Sequence, residues 1–406
     1  MLNHLKNRTV YLYAGMLVNV ILGYLVTKIN TAYLSVEAFG VYSLFINFIL
    51  FTRVFFSFGI FESSSRIIAA QKDVRDSRQL LGTTLLITLI LGVILSFFIF
   101  ASSFMVDAIF EIKISFLLRL LWFFTFALLF QILLQVALRG LGNIKQLSIY
   151  YFTPRLIYLC LMGLLLYYGV FTLTNTAGAF LISIVLTVIV FIFLAKPVFR
   201  NIKIRIKQIK DEVLSYGRHL YVANIFSAFF LHIDKLFLAY FLDARQLGYY
   251  ALAFTISAPL PYFSTALSTS AFREFAETDR ITFRKLAINT IYVVTASILL
   301  LLFNGFIVET LFSSAFAPAR PALYILTIAF SFSALSIPYT LFFKAQKLGR
   351  EIRNITMATQ IVFLISNLIL IPIIGIRGAA IASLLSYGLD YLLYVMFYNR
   401  RVLKTG

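Results

Sequence analysis

Cysteine is almost missing: the 406 residues hold one, Cys160, set inside an apolar run. A single thiol excludes a disulfide framework and any cysteine-based metal site. Charge is scarce too, with 13% of residues Asp, Glu, Lys or Arg against 61% hydrophobic. No soluble fold hides that much apolar surface, and repeated runs of about 20 apolar residues have the length a helix needs to cross a bilayer. Also missing are a glycine-rich phosphate loop, HExxH, CxxC and a serine elbow, which removes nucleotide-driven pumping and the common hydrolase chemistries. The first apolar run, 10–34, is too long for a secretory core and has no small-residue exit, so it reads as a retained helix. The composition predicts an all-α polytopic membrane protein that is not an enzyme and carries no cofactor.

What is present organises into twelve predicted spans, near 10–33, 40–61, 82–104, 115–138, 148–168, 177–195, 216–241, 246–269, 286–311, 321–343, 355–372 and 378–398. All connections are short, and none has room for a soluble domain. Of 35 basic residues, 26 fall in the N-terminus, the even-numbered connections and the tail, and five in the odd-numbered connections (Lys28, Lys113, Arg245, Arg320, Arg377). That imbalance predicts both termini in the cytoplasm. The formal net charge of +19 is thus a matter of topology and anionic headgroups, and nucleic acid is not an expected partner. The longest cationic connection, KPVFRNIKIRIKQIKDEV (196–213), reads either as an amphipathic interfacial segment or as a solvated linker.

The chain also repeats itself. YLSVEAFGVYSL (33–44) and FLDARQLGYYAL (241–252) align their polar turn, Gly and Tyr 208 residues apart. LGN (141–143) corresponds to LGR (348–350), and AGAFLIS (177–183) to RGAAIAS (377–383). Three matches in one order predict two six-helix lobes in a parallel repeat. The expected divisions are a first lobe at 1–195, a basic linker at 196–213 and a second lobe at 214–406.

Four cations lie within spans: Arg53, Arg119, Arg155 and Lys235. A charge at bilayer depth costs roughly 2.5–3.5 kcal/mol on insertion scales, so it normally faces a protein interior or a wet cavity. Arg53 is expected near mid-helix, sharing a face with Tyr42, Ile46, Ile49 and Ser57. There it either holds an anionic headgroup or packs against a carbonyl or carboxylate. Arg155, two turns from the cytoplasmic side, lines a lumen or snorkels; Arg119 snorkels. In HIDK (232–235), His232 and Lys235 share a face, and Asp234 points about 100° from Lys235, which predicts that the lysine does not neutralise it. Asp234 and Asp390 with Asn367 are read as a proton or sodium site, or else as ordinary ion-pair partners. Pro259, Pro261 and Pro338 kink the eighth and tenth spans, either as gates or as static bends.

On IDKLFLAYFLDARQLGYYALA (233–253), YLSVEAFGVYSL (33–44), FGIFESSSRIIA (58–69) and GIRGAAIASLLSY (375–387), the chain resembles polysaccharide repeat-unit flippases of the Wzx type. These belong to the multidrug/oligosaccharidyl-lipid/polysaccharide exporter superfamily. The resemblance implies a multi-pass protein of the bacterial cytoplasmic membrane that moves an undecaprenyl-pyrophosphate-linked oligosaccharide of the O-antigen type by alternating access. It implies a cationic lumen at Arg53, Arg155 and Lys235, and Na+ or H+ coupling at Asp234 and Asp390. Membrane lipids, a glycan polymerase and chain-length proteins are the implied partners. Other readings are a drug or cation antiporter, which would favour an acidic cavity, and a major-facilitator transporter, whose loop signature is missing. A glycan polymerase would need larger external loops.

Overall fold

The computed structural model describes residues 2–71 and 73–405, and side chains apart from those of residues 2–10, 12, 13, 219, 230, 273 and 401–405. Lys6, Arg8, Lys72, Arg273, Arg401 and Lys404, part of the orientation argument above, lie outside the described residues or side chains. Eighteen α-helices follow one another among the described residues: α1 Leu2–Tyr33, α2 Val36–Phe55, α3 Ile60–Ala70, α4 Val74–Ser102, α5 Val106–Ile109, α6 Ser115–Leu121, α7 Ala127–Gly140, α8 Ile144–Tyr167, α9 Leu173–Ala195, α10 Ile202–Glu212, α11 Arg218–Phe241, α12 Ala244–Ser257, α13 Leu260–Ser270, α14 Phe272–Glu277, α15 Phe283–Leu302, α16 Arg320–Ala345, α17 Gly349–Ile374 and α18 Ile376–Thr405. No strand occurs among the described residues.

Among the described residues, ten helical segments are long and apolar enough to cross a membrane; α11, bent by 41° between Phe229 and Leu231, makes eleven. The remaining expected span, the eighth, is divided. Pro259 lacks a donor N–H and ends α12, and α13 starts one residue later. The second expected span is shorter than the apolar run suggests. Phe58 and Gly59 both take positive φ (45° and 70°), so α2 stops at Phe55 and α3 sets off afresh. A Cβ on Gly59 would overlap the Gly217 carbonyl, so this turn exists only where the chain meets Gly217 without a side chain.

Packing separates the chain into two units: 1–26 with 41–236, and 27–40 with 237–406. The division differs from the expected linker at 196–213, because α10 and most of α11 pack with the first unit. The Val198 N–H donates to the Arg78 carbonyl at 3.0 Å, and Arg205 bonds Asp76 and Gln79. Further along, Tyr221 donates to the Phe55 carbonyl at 2.8 Å and Asn224 to Glu62 at 2.9 Å.

The second unit contains the repeat in three dimensions. Ser35 caps the Ala38 N–H at 3.1 Å, and Asp243 caps the Gln246 N–H at 2.8 Å. Both helices therefore begin on the same device at matching positions. Their two glycines then meet. A Cβ on Gly40 would sit 2.7 Å from the Ala244 carbonyl carbon, and one on Gly248 would sit 3.3 Å from the Gly40 nitrogen and press on the Val36 carbonyl. The contact is reciprocal, as repeat-related surfaces require, and small residues are what let two membrane helices approach so closely. Glu37 and Arg245, again matching positions, pair at 3.0 Å. The body of this unit is aromatic, with Phe275, Phe342, Phe343, Tyr394 and Tyr398 buried around Ile355.

Candidate functional site

One face of α11 supplies a polar stripe inside the first unit. Tyr221, Asn224, His232 and Lys235 recur at near-helical spacing, and the first three of them meet α2 or α3. His232 and Asn47 exchange two hydrogen bonds: His232 Nδ1 to Asn47 Oδ1 at 2.6 Å, and Asn47 Nδ2 to the His232 carbonyl at 3.1 Å. Because the amide nitrogen is committed to the carbonyl, its oxygen must accept, which puts the proton on Nδ1 and leaves Nε2 free to accept. His232 is therefore a hydrogen-bonded interior residue, its ring tilted by 59° against that of Phe51 (ring centroids 6.0 Å apart).

Arg53 lies in the last turn of α2, not mid-helix, because the Phe58–Gly59 turn cuts the helix short. It is half-buried. One guanidinium nitrogen donates to Gln131 Oε1 at 2.8 Å, and its buried Nε finds no hydrogen-bond partner among the described residues. Gln131 is itself held in place, its backbone carbonyl accepting from the Tyr150 hydroxyl at 2.8 Å. Arg53 follows Phe51, whose ring meets His232, and Lys235 comes one turn after His232; with the Gln131 and Tyr150 bonds this ties α2, α7, α8 and α11 around one basic cluster.

Lys235 is not an isolated cation. Its ammonium sits 3.8 Å from Asp234 Oδ1, with side-chain exposures of 15% and 4%. The expectation that Asp234 escapes its neighbour is corrected here: the two Cα–Cβ vectors diverge, but the four-carbon lysine stem reaches back across that angle. Asp234 also accepts the Lys235 backbone N–H at 2.7 Å. Arg155 is exposed on α8 and donates to the Asn19 carbonyl of α1, its guanidinium lying against Gly23. Arg119 is exposed, over the Phe104 ring at 4.5 Å.

Of the residues read as a cation site, Asn367 and Asp390 share a unit and are not brought together in it. Asp234 belongs to the first unit, Asp390 and Asn367 to the second. Within the second unit, Ser386 reaches the Thr359 carbonyl across the α17–α18 hairpin at 3.1 Å. That register sets Asn367 opposite Gly378, about 18 Å along α18 from Asp390 at 1.5 Å per residue. Asp390 adjoins Ser336. Asn367 is buried and donates to the Phe363 carbonyl at 2.8 Å, and its Oδ1 has no hydrogen-bond partner among the described residues. Pro259 does break its helix, Pro261 lies in the first turn of α13, and α16 runs through Pro338 without interruption.

Glu62 is the carboxylate that sequence reasoning passed over. One oxygen accepts from Asn224, while the buried Oε2 has no hydrogen-bond partner among the described residues. Its signal was available: Asn224 precedes His232 by eight residues, close to two helical turns, and Glu62 stands in the FGIFESSSR motif.

These helices, breaks and repeats define a multi-pass membrane protein with the fold of known exporters and flippases. The structure superposes on an inward-facing multidrug resistance MATE family transporter of the MOP superfamily with a TM-score of 0.75 and 16% identity, covering 97% of this chain and 96% of that one. The lipid II flippase MurJ in its inward closed conformation gives 0.70 and 15%, covering 96% and 87%. In sequence, the chain is 24% identical over 213 residues to the probable low-salt glycan biosynthesis flippase Agl15 of Haloferax volcanii, a match spanning 50% of this chain and 43% of that protein. The polysaccharide biosynthesis protein family matches residues 5–272, and the chain belongs to that family.

Proposed function

We propose that this protein is a flippase that carries a polyprenyl-(pyro)phosphate-linked oligosaccharide across a membrane, the undecaprenyl-linked repeat unit of a bacterial cytoplasmic membrane being its substrate. The observation that carries the reading is the basic cluster of the first unit: Arg53 held by Gln131, and Lys235 one turn after His232 on α11, with Asp234 the carboxylate paired to the lysine. A phosphate-linked sugar cannot cross hydrocarbon unaided, and arginine recognises phosphate through a planar fork of donors. Arg53 keeps Nε unengaged while Gln131 fixes its other arm, so the fork is oriented before substrate arrives. Arg155, exposed on α8, is a second phosphate contact in this proposal. The polyprenyl tail stays in lipid while the head passes.

Coupling to Na+ or H+ falls in this proposal to Glu62 and Asp390, since Asp234 is occupied by Lys235. Membership of a polysaccharide biosynthesis family supports the glycan substrate, and a glycan polymerase is the expected downstream partner. A drug or organic-cation antiporter is the second reading, favoured by the likeness in fold to a multidrug transporter; the excess of cations in the cluster argues against it. The test is a strain lacking the protein, complemented with wild type or Arg53→Ala at equal membrane abundance. Loss of surface glycan, with lipid-linked units accumulating and drug susceptibility unchanged, is expected for deletion and for Arg53→Ala. Normal glycan in the Arg53→Ala strain removes the role assigned to the cluster; altered drug susceptibility with normal glycan in the deletion strain selects the antiporter.

A further inference from the structure

Helix α10 is bolted to the first unit along one side and bare along the other. Its inner side is set by Arg205, 7% exposed, which bonds Asp76, Gln79 at 3.1 Å and Gln208 at 3.0 Å. Ile209, 2% exposed, lies beside it. Asn201 reaches Gln79 at 3.3 Å, and at the far end Glu212 pairs with Arg66 at 2.6 Å, whose guanidinium stands over the Tyr216 ring. These contacts fix the rotation of the helix about its own axis.

That rotation turns Lys203, Lys207 and Lys210 outward together, all exposed and within about 60° of one another at 100° per residue. Exposed Arg200 precedes them. On either flank of the lysine stripe stand Ile206 and Ile204, 43% and 60% exposed, with Phe199 at 55% before the helix begins. Asp211 is the acid on this outer side, next to Ile204. A helix serving only as a hydrated linker gains nothing by holding isoleucine in water on both sides of a lysine row. A helix lying in the headgroup layer does: its apolar flanks dip toward the acyl boundary while the lysines meet phosphates.

We propose that the outer face of α10 is a docking surface for anionic phospholipid headgroups of the surrounding leaflet. Lys203, Lys207 and Lys210 bind the phosphates, and Ile204 and Ile206 contact the first acyl carbons. Because α10 is tied to α3 and α4 by Arg66–Glu212 and Arg205–Asp76, a bound headgroup also braces the helix that follows Arg53.

The test uses the purified full chain in neutral detergent, titrated with short-chain phosphatidylglycerol and phosphatidylcholine while thermal unfolding is followed. Wild type should be stabilised by phosphatidylglycerol and not by phosphatidylcholine. K203Q/K207Q/K210Q should need at least about tenfold more phosphatidylglycerol for the same shift, and I204N/I206N should also weaken it. K344Q/K347Q, at the end of α16 in the second unit and no part of the α10 stripe, should leave the response unchanged. Equal phosphatidylglycerol responses in wild type and the triple lysine variant overturn the proposal. So does full competition by water-soluble glycerophosphoglycerol, which would reveal simple ion binding. An unaltered lipid response joined to loss of a co-purifying acidic protein would assign the surface to that protein and overturn the lipid assignment.

Discussion

Adding one methyl group at Gly40 tests how tightly the two repeats are pressed together. The new Cβ would lie 2.7 Å from the Ala244 carbonyl carbon and 3.0 Å from the Gly248 nitrogen. Both obstacles are backbone, which no rotamer change can move aside, so the two helix starts must part. Overpacking of this kind costs about 1–3 kcal/mol. Gly248→Ala presses on the same contact from the other helix and should cost a similar amount. Once one substitution has separated the pair, the second meets space already opened. The double variant should therefore lose less than the sum of the singles, by about 0.5–1 kcal/mol or more. Gly163 of α8 is the control, since its Cβ would meet nothing within 4 Å; alanine there should be neutral or stabilise by up to about 1 kcal/mol. Detergent-solubilised protein followed through SDS or thermal unfolding reads all four. If Gly40→Ala behaves like Gly163→Ala, or if the two singles add, the reciprocal contact is not what holds these segments.

Arg53→Lys keeps a positive charge but loses the planar fork, and should lower flipping about ten- to a hundredfold in a vesicle assay while leaving protein abundance unchanged. Asn47→Leu removes both bonds to His232 and should destabilise by about 1 kcal/mol, the scale of two interhelical bonds in a membrane protein, measured by SDS titration. The Lys285 and Thr282 hydrogen bonds hold the Glu274 carboxyl below its ordinary range. A depressed carboxylate contributes stability above its unfolded pKa and loses it as pH falls through the folded value. Glu274→Gln should thus flatten the acid limb of a melting-temperature profile below about pH 4.5, and an unchanged limb would assign that slope to other groups.

The helical class and the duplication were written plainly in the chain. Runs of apolar residues carry the first, and the second shows in Ser35/Asp243 and Gly40/Gly248, where both copies need the same cap and the same missing side chain. The break after Phe55 was not legible, because nothing local demands it: Gly59 turns where it does on account of Gly217, far away in sequence. Proline alone misleads in the same way, stopping α12 at Pro259 yet lying inside an unbroken α16 at Pro338. For the site, the presence of Arg53, His232 and Lys235 within apolar text could be read directly. Their partners could not. Asp234–Lys235 depends on how a flexible stem folds back, Glu62–Asn224 on which helix lies beside which, and the gap between Asn367 and Asp390 on a hairpin register set by Ser386.

The pair of hydrogen bonds between Asn47 and His232 joins positions 185 residues apart. A fragment ending at residue 195 would leave Asn47, Glu62 and the Phe55 carbonyl without these partners, while one continued to residue 236 would bring them along. Splitting this polypeptide after its sixth span would thus yield a crippled amino-terminal piece, and a cut some forty residues later a competent one.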